Sequence, residues 1–204
     1  MTQARLAAIA IALAALGGAG VALVAHLALG SAEGGLALPQ MHGQASWPAG
    51  ERRAPPFELR DQDGRAVSLR ELRDRALLLT FLDSHCVERC PIAGRQLGTM
   101  LRGMAPADRP TLLIVSADPG RDTPASIRHA MATWGLAGPY RWHWLRGSKS
   151  ALAAVWRDYG VTGEPASAAL YLIDRRGFQR TGFLFPFLPN FVALDLLTLA
   201  RERV

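Results

Sequence analysis

The chain has 204 residues, of which 50% are hydrophobic and 20% are charged, and its formal net charge is +6. This length suits one globular domain with a short appendage, and the apolar content argues against an intrinsically disordered chain. The positive charge comes from scattered arginines, since Lys149 is the only lysine. Without a basic block the charge does not indicate nucleic-acid binding. It indicates a solvated surface rich in arginine, with a weak attraction to anionic lipid headgroups as the alternative.

A long apolar segment follows the amino terminus, with no charged residue between Arg5 and Glu33. A helix of about 20 apolar residues spans a bilayer, so the pattern predicts a transmembrane signal anchor over residues 6–29, preceded by a cytoplasmic terminus of residues 1–5. A cleaved secretory signal is the alternative, because Gly30-Ser31-Ala32 offers a cleavage site of small residues.

The distribution of basic residues predicts which side of the membrane the remainder occupies. After Arg5 the next basic residue is Arg52. Because positively charged flanks stay in the cytoplasm, we expect a single-pass protein of the cell membrane whose domain lies on the extracytoplasmic side.

Composition divides the rest of the chain into two parts. Residues 30–54 are rich in Gly, Pro, Ala and Ser without sustained periodicity, which predicts a flexible linker. Regular hydrophobic patterns begin after Pro56, so the domain is predicted over residues 55–204.

The domain pattern alternates strands and helices. The segment FELRDQDGRAVSL predicts a hairpin around an Asp-Gly turn, and the apolar runs Ala76–Leu82 and Thr111–Asp118 are typical of strands buried on both faces. Further elements are predicted as helices at 92–104, 125–134, 148–159 and 190–203, a short strand RWHWL, and a terminal hairpin ALYLID to FQRTGFLF. This order predicts an α/β fold with a mostly parallel central sheet flanked by helices.

Both cysteines lie in the stretch SHCVERCP, where Cys86 and Cys90 have CxxxC spacing. Cys86 directly follows a buried strand, so we expect it at the carboxyl edge of the sheet, where α/β proteins place their sites. Cys90 and Pro91 begin the next helix, and the helix N-terminus with Arg89 nearby is expected to lower the pKa of a thiol there. Thiolate is the nucleophile of disulfide exchange and a soft ligand for Cu(I).

Two other uses of the cysteines are disfavoured. A structural disulfide between them would close a very short loop and remove little entropy from the unfolded chain. Structural zinc needs four ligands, and the sequence has no second cysteine pair or HxxxH motif. A redox couple and a copper site both stay open.

From about Pro55 onward the chain resembles the Sco/SenC family of membrane-tethered copper-handling proteins. The resemblance rests on FELRDQDGRAVSL, TFLDSHCVERCP, SADPGRDTP and ALYLIDRRG. It implies a thioredoxin-like fold, copper held by Cys86 and Cys90, and a role in assembling the dinuclear copper centre of cytochrome c oxidase. Ordinary thioredoxins use CxxC, so the spacing argues against them.

One family feature is absent. The family completes its copper site with a histidine five residues before the tyrosine of the YLID strand, and counting back from Tyr171 gives Ala166. No histidine occurs after His143. We expect His85 to pack against or tune the neighbouring thiol and not to ligate copper.

The two aspartates of SADPGRDTP have a structural interpretation. We expect Asp118 to end a strand and Asp122 to cap the following helix, and the alternative is that the two shape the site near the thiols.

Two mechanisms are compatible with the resemblance. A metallochaperone would carry copper on Cys86 and Cys90 to the copper-bearing subunit of cytochrome c oxidase. A thiol-disulfide oxidoreductase would attack a partner disulfide with Cys86 and resolve it with Cys90, and the missing histidine shifts weight towards this mechanism. Outside the family, a general extracytoplasmic thiol-disulfide oxidoreductase acting on another thiol protein, or a thiol peroxidase, would have no copper role.

Overall fold

The computed structural model describes residues 41–161 and 169–202 of the chain. The predicted membrane anchor, residues 6–29, and residues 30–40 of the predicted linker lie outside these ranges. None of the helices within the described ranges combines the length and the apolar composition that crossing a bilayer requires.

Strands and helices alternate through the described residues. The strands are β1 (Ala45–Ser46), β2 (Arg52–Arg53), β3 (Glu58–Arg60), β4 (Ala66–Ser68), β5 (Leu77–Leu82), β6 (Thr111–Ser116), β7 (Trp142–Leu145), β8 (Leu170–Ile173) and β9 (Phe178–Phe183). The α-helices are α1 (Arg89–Gly103), α2 (Pro124–Thr133), α3 (Lys149–Asp158) and α4 (Pro189–Arg201), and a 3₁₀ turn covers Leu69–Leu72.

The main sheet is mixed, in the order β1-β9-β8-β5-β6-β7, with β2 also paired to β9. Strands β5, β6 and β7 are parallel neighbours, whereas β8 is antiparallel to both β5 and β9. The prediction of a mostly parallel sheet is therefore wrong. The predicted terminal hairpin is present, since the tight turn Asp174–Gly177 joins β8 and β9 and permits only antiparallel neighbours. The pairing that the sequence did not predict is the antiparallel one between β5 and β8.

Two apolar cores lie on opposite faces of the sheet. Helices α1, α2 and α4 cover one face, and α3 with the β3–β4 hairpin covers the other. Every residue of β5 and β6 is buried, which confirms the prediction that these apolar runs are strands covered on both sides. The result is a thioredoxin-like α/β fold.

The predicted linker is wrong for residues 41–54, which belong to the folded unit that begins at Met41. Strands β1 and β2 pair with β9 and so cover a row of backbone groups that would otherwise form a sheet edge. Gly43, one of several glycines in the predicted linker, is required by packing. A Cβ at this position would lie 2.2 Å from Thr181 Oγ1.

Helix α1 packs closely against the loop that follows α2. A Cβ on Gly98 would lie 2.1 Å from the carbonyl oxygen of Gly135, whereas a Cβ on Gly103 would meet nothing within 4 Å. A backbone oxygen cannot retreat as the end of a flexible side chain can, so the approach of α1 to this loop requires glycine at position 98.

We predict that Gly98→Ala lowers the free energy of unfolding by about 1–3 kcal/mol, because the added methyl group overpacks the contact with Gly135. Gly103→Ala in the same helix is the matched control, and it should be neutral or stabilise by up to about 0.5–1 kcal/mol through helix propensity. Urea unfolding of both variants measures the difference. Equal stability of the two variants would contradict this packing.

Candidate dithiol site

The two cysteines lie at the carboxyl edge of the sheet. Strand β5 ends at Leu82, α1 begins at Arg89, and Cys86 lies in the turn between them. The Cys86 backbone N–H donates to the carbonyl oxygen of Asp83 at 3.1 Å, which closes the turn. The structure therefore places Cys86 where the sequence predicts it.

The Cys86 sulfur takes the place of a capping side chain at the start of α1. Glu88, at the N-cap position, makes no side-chain capping bond. Instead, the Cys90 backbone N–H donates to Cys86 Sγ over 3.2 Å. The first N–H groups of a helix have no intrahelical acceptor, and this contact supplies one to the Cys90 N–H.

The two thiols differ in access and in proton affinity. Cys86 is half-buried, whereas Cys90 is fully buried in the core beneath α1, and both are free thiols. Burial raises the pKa of the Cys90 thiol well above its ordinary value, and a hydrogen bond from the Asp83 backbone offsets this only in part. The prediction that the helix N-terminus lowers the thiol pKa is therefore wrong for Cys90. Desolvation raises this pKa by more than the helix N-terminus lowers it.

Asp122 fixes the turn before Cys86. Its carboxylate is 1% exposed and accepts hydrogen bonds from the Ser84 backbone N–H at 2.9 Å, from the Ser116 hydroxyl, and from Trp144 Nε1–H at 3.3 Å. Three donors satisfy this buried carboxylate and tie the cysteine turn to β6 and β7.

The prediction that Asp122 caps α2 is wrong, because the neighbouring residue occupies the N-cap position. Thr123 is the N-cap of α2, and its hydroxyl accepts the Ser126 backbone N–H at 3.1 Å. The sequence signal for Asp122 was its place in SADPGRDTP, but nothing in that pattern shows that its side chain points inward and not along the helix start.

A charged cluster lies on the exposed rim of the same edge. Arg121 Nε donates to Asp118 Oδ2, and Arg121 Nη2 lies 3.4 Å from Asp83 Oδ2. The Arg121 guanidinium holds the pKa of the Asp118 carboxyl below its usual range. Asp118 also accepts the Gly120 backbone N–H at 3.1 Å, so it shapes the turn after β6 and does not contact the thiols.

The His85 side chain faces oxygen atoms. Its Nδ1 lies 3.2 Å from Ser84 Oγ and 3.8 Å from Asp83 Oδ1. Ligand atoms of Asp83, His85 and Asp122 lie within 4.8 Å of one another, and among the described residues no such three-residue group includes either cysteine.

The remaining positions of interest lie elsewhere. Ala166, which occupies the position of the family histidine, falls in residues 162–168, outside the described ranges. His143 Nδ1 lies 3.3 Å from Asp61 Oδ2, and His129 Nε2 lies 3.4 Å from Thr133 Oγ1. The site thus consists of an accessible sulfur at a helix start and a buried thiol beside it, a pair that can form a disulfide or hold a soft metal ion.

Comparisons with known proteins agree with this geometry. The SCO1/SenC family profile matches residues 47–180 of the chain. A protein of Stutzerimonas stutzeri, described as a candidate copper-binding protein, is 32% identical over 122 residues, and the match spans 57% of this chain and 56% of that protein.

Two solved structures are also similar. Bradyrhizobium japonicum ScoI, solved with copper bound, is 28% identical, with a TM-score of 0.58 covering 72% of this chain and 99% of that one. BsSco, a member of the Sco family of cytochrome c oxidase assembly proteins in which a disulfide switch was identified, is 19% identical, with a TM-score of 0.65 covering 78% and 99% of the two chains. At that identity the second likeness shows the fold alone. The family match over most of the domain, together with the CxxxC turn at the carboxyl edge, shows that this chain belongs to the SCO1/SenC family.

Proposed function

We propose that this chain is a membrane-anchored Sco/SenC protein that helps to assemble the copper centre of cytochrome c oxidase by thiol chemistry at Cys86 and Cys90. The observation that carries the proposal is the asymmetry of the pair, an accessible Cys86 sulfur that accepts the Cys90 backbone N–H and a Cys90 thiol buried behind it. Membership of the SCO1/SenC family, whose resemblance implies a role at the copper centre of cytochrome c oxidase, supports the choice of target.

Reduction of a partner disulfide is the reaction that suits this asymmetry best. The Cys86 thiolate attacks one sulfur of the disulfide, a mixed disulfide forms, and the second partner sulfur leaves as a thiolate. Cys90 then loses its proton and attacks the Cys86 sulfur, which releases the first partner sulfur. The partner gains two thiols, and this chain is left with a Cys86–Cys90 disulfide.

Carriage of Cu(I) is the second candidate, supported by the copper bound to Bradyrhizobium japonicum ScoI. Two thiolate sulfurs are soft donors that suit Cu(I). A Cu(II) site normally requires nitrogen ligands as well, and alanine at position 166 supplies none. Copper would therefore be cargo in its reduced state.

The proposal places the domain outside the cytoplasm. Residues 6–29 would anchor the chain, and the absence of basic residues between Arg5 and Arg52 supports an amino terminus that stays inside. Disulfides persist in extracytoplasmic compartments, so a partner disulfide is an available substrate there.

The exchange reaction is tested by trapping its intermediate on the full chain. With a peptide that carries an intramolecular disulfide, Cys90→Ser should accumulate the mixed disulfide at Cys86, because the resolving thiol is missing. The wild-type chain should release reduced peptide, and Cys86→Ser should do neither. Non-reducing gels and intact mass measure the three species. Equal reaction of the Cys86→Ser chain would eliminate Cys86 as the attacking group.

The difference between the thiols predicts selective alkylation. At about pH 8, iodoacetamide should modify Cys86 at least about tenfold faster than Cys90, because burial both shields Cys90 and raises its pKa, so that its thiol stays neutral. Peptide mass spectrometry measures both rates, and unfolding in guanidinium should make them equal. Comparable rates in the folded chain would contradict the buried position of Cys90.

Copper binding is tested by anaerobic titration of the reduced full chain with Cu(I) and Cu(II) against a competing chelator. We expect one Cu(I) per chain, lost in Cys86→Ser, and an affinity for Cu(II) that rises at least about tenfold in Ala166→His. The control Ala137→His, exposed in the loop after α2, should raise neither affinity. If the wild type binds neither ion while Ala166→His binds copper, carriage of copper is excluded and the reductase stands alone.

A further inference from the structure

Four apolar side chains are exposed between the end of β9 and the second turn of α4. Their exposed fractions are 58% for Leu184, 63% for Leu188, 41% for Phe191 and 47% for Leu194. The spacing of three between Leu188, Phe191 and Leu194 puts these side chains on one face of the helix start. Single exposed apolar residues are ordinary, but a contiguous group marks an interaction surface, and we name this one the β9–α4 patch.

The sequence around the patch is suited to an apolar environment. Residues 181–194 contain no charged side chain. A surface that enters the lipid interface presents apolar side chains with no charged side chain among them.

The β9–α4 patch lies at the same edge of the sheet as the dithiol. Strand β9 runs in the direction of β5, because both are antiparallel to β8. Phe183, at the end of β9, pairs with Leu170, which pairs with Thr80 near the end of β5. Phe185 and Cys86 pack against the same apolar core, and Val87, directly after Cys86, is 87% exposed.

The first residues that the structure describes, 41–44, also lie at this edge. Ala45 pairs with Gly182 in antiparallel register, so residues 41–44 run past the end of β9. Gln44 Oε1 accepts the Leu184 backbone N–H at 3.1 Å. The His42 ring stacks on Phe191 with centroids 5.0 Å apart, and its Nδ1 lies 2.6 Å from Oδ1 of the buried Asp195. These contacts hold the first described residues beside the patch.

We propose that the β9–α4 patch docks on the lipid interface of the membrane, so that the dithiol edge faces the bilayer surface. The proposal rests on the anchor at residues 6–29 given under the proposed function. Only residues 30–40 separate that segment from Met41, which is at most about 40 Å of extended chain. An anchor at residues 6–29 would therefore keep Met41, and the patch beside it, within about that distance of lipid.

The test uses the full chain in vesicles whose acyl chains carry bromine, a short-range quencher of tryptophan fluorescence. Leu188→Trp places a tryptophan in the patch, and Ala105→Trp places one in the exposed loop after α1, at the opposite edge of the sheet. We expect the emission added by Leu188→Trp to be quenched at least about threefold more than that added by Ala105→Trp. Equal quenching of the two would overturn the docking surface.

A second substitution separates docking from mere proximity to the membrane. Adding Leu184→Glu and Leu194→Glu to Leu188→Trp places two charges in the patch and should remove most of the excess quenching. Excess quenching that survives both charges contradicts docking through the patch. Blue-shifted emission without lipid quenching means that protein covers the patch, either another part of this chain or a partner, and this also overturns lipid docking.

Extraction of the vesicles with alkaline carbonate tests the anchor separately. A wild-type chain released by carbonate eliminates the anchor, and the lipid-docking proposal fails with it. A chain that is retained while the two tryptophans are quenched equally eliminates the docking surface alone and leaves the proposed function standing.

Discussion

The hydrogen bond from the Cys90 backbone N–H to the Cys86 sulfur joins the helix start to the chemistry of the site. Glu88 offers no capping side chain, so the sulfur satisfies a backbone group that would otherwise lack an acceptor. The sulfur that attacks in the proposed reaction is therefore also the acceptor at the first turn of α1.

Burial gives the two cysteines different roles. Both lie near a helix N-terminus, but only Cys86 keeps access to solvent. Cys90 lies among the apolar residues beneath α1, and its raised pKa follows from that position. The fold thus gives two identical side chains four positions apart different access to solvent.

The elements that sequence predicted well are those fixed by local pattern. The runs that became β5 and β6 are uniformly apolar, and a strand buried on both faces requires that composition. The direction of a strand in the sheet is harder to predict, because a uniformly apolar run is equally compatible with parallel and antiparallel pairing. The antiparallel placement of β8 depends on which edge of β5 was free and on the tight turn into β9.

Tertiary contacts explain the other corrections. Gly43 is part of the Gly-rich composition that predicted a flexible linker, yet a Cβ at this position would clash with Thr181. Asp122 looked like a helix cap, yet Thr123 serves that purpose and frees Asp122 to hold Ser84 and Trp144. Likewise, the helix N-terminus is visible in sequence, but the burial that raises the pKa of Cys90 comes from residues far away in the chain.

The family histidine and the two cysteines serve different chemical needs. Among the described residues, the cysteine turn is organised by β5, α1 and Asp122. A Cu(II) site normally requires a nitrogen donor such as that histidine, whereas disulfide exchange requires only two thiols. Metal preference and thiol reactivity therefore place separate demands on the sequence, and alanine at position 166 bears on the metal alone.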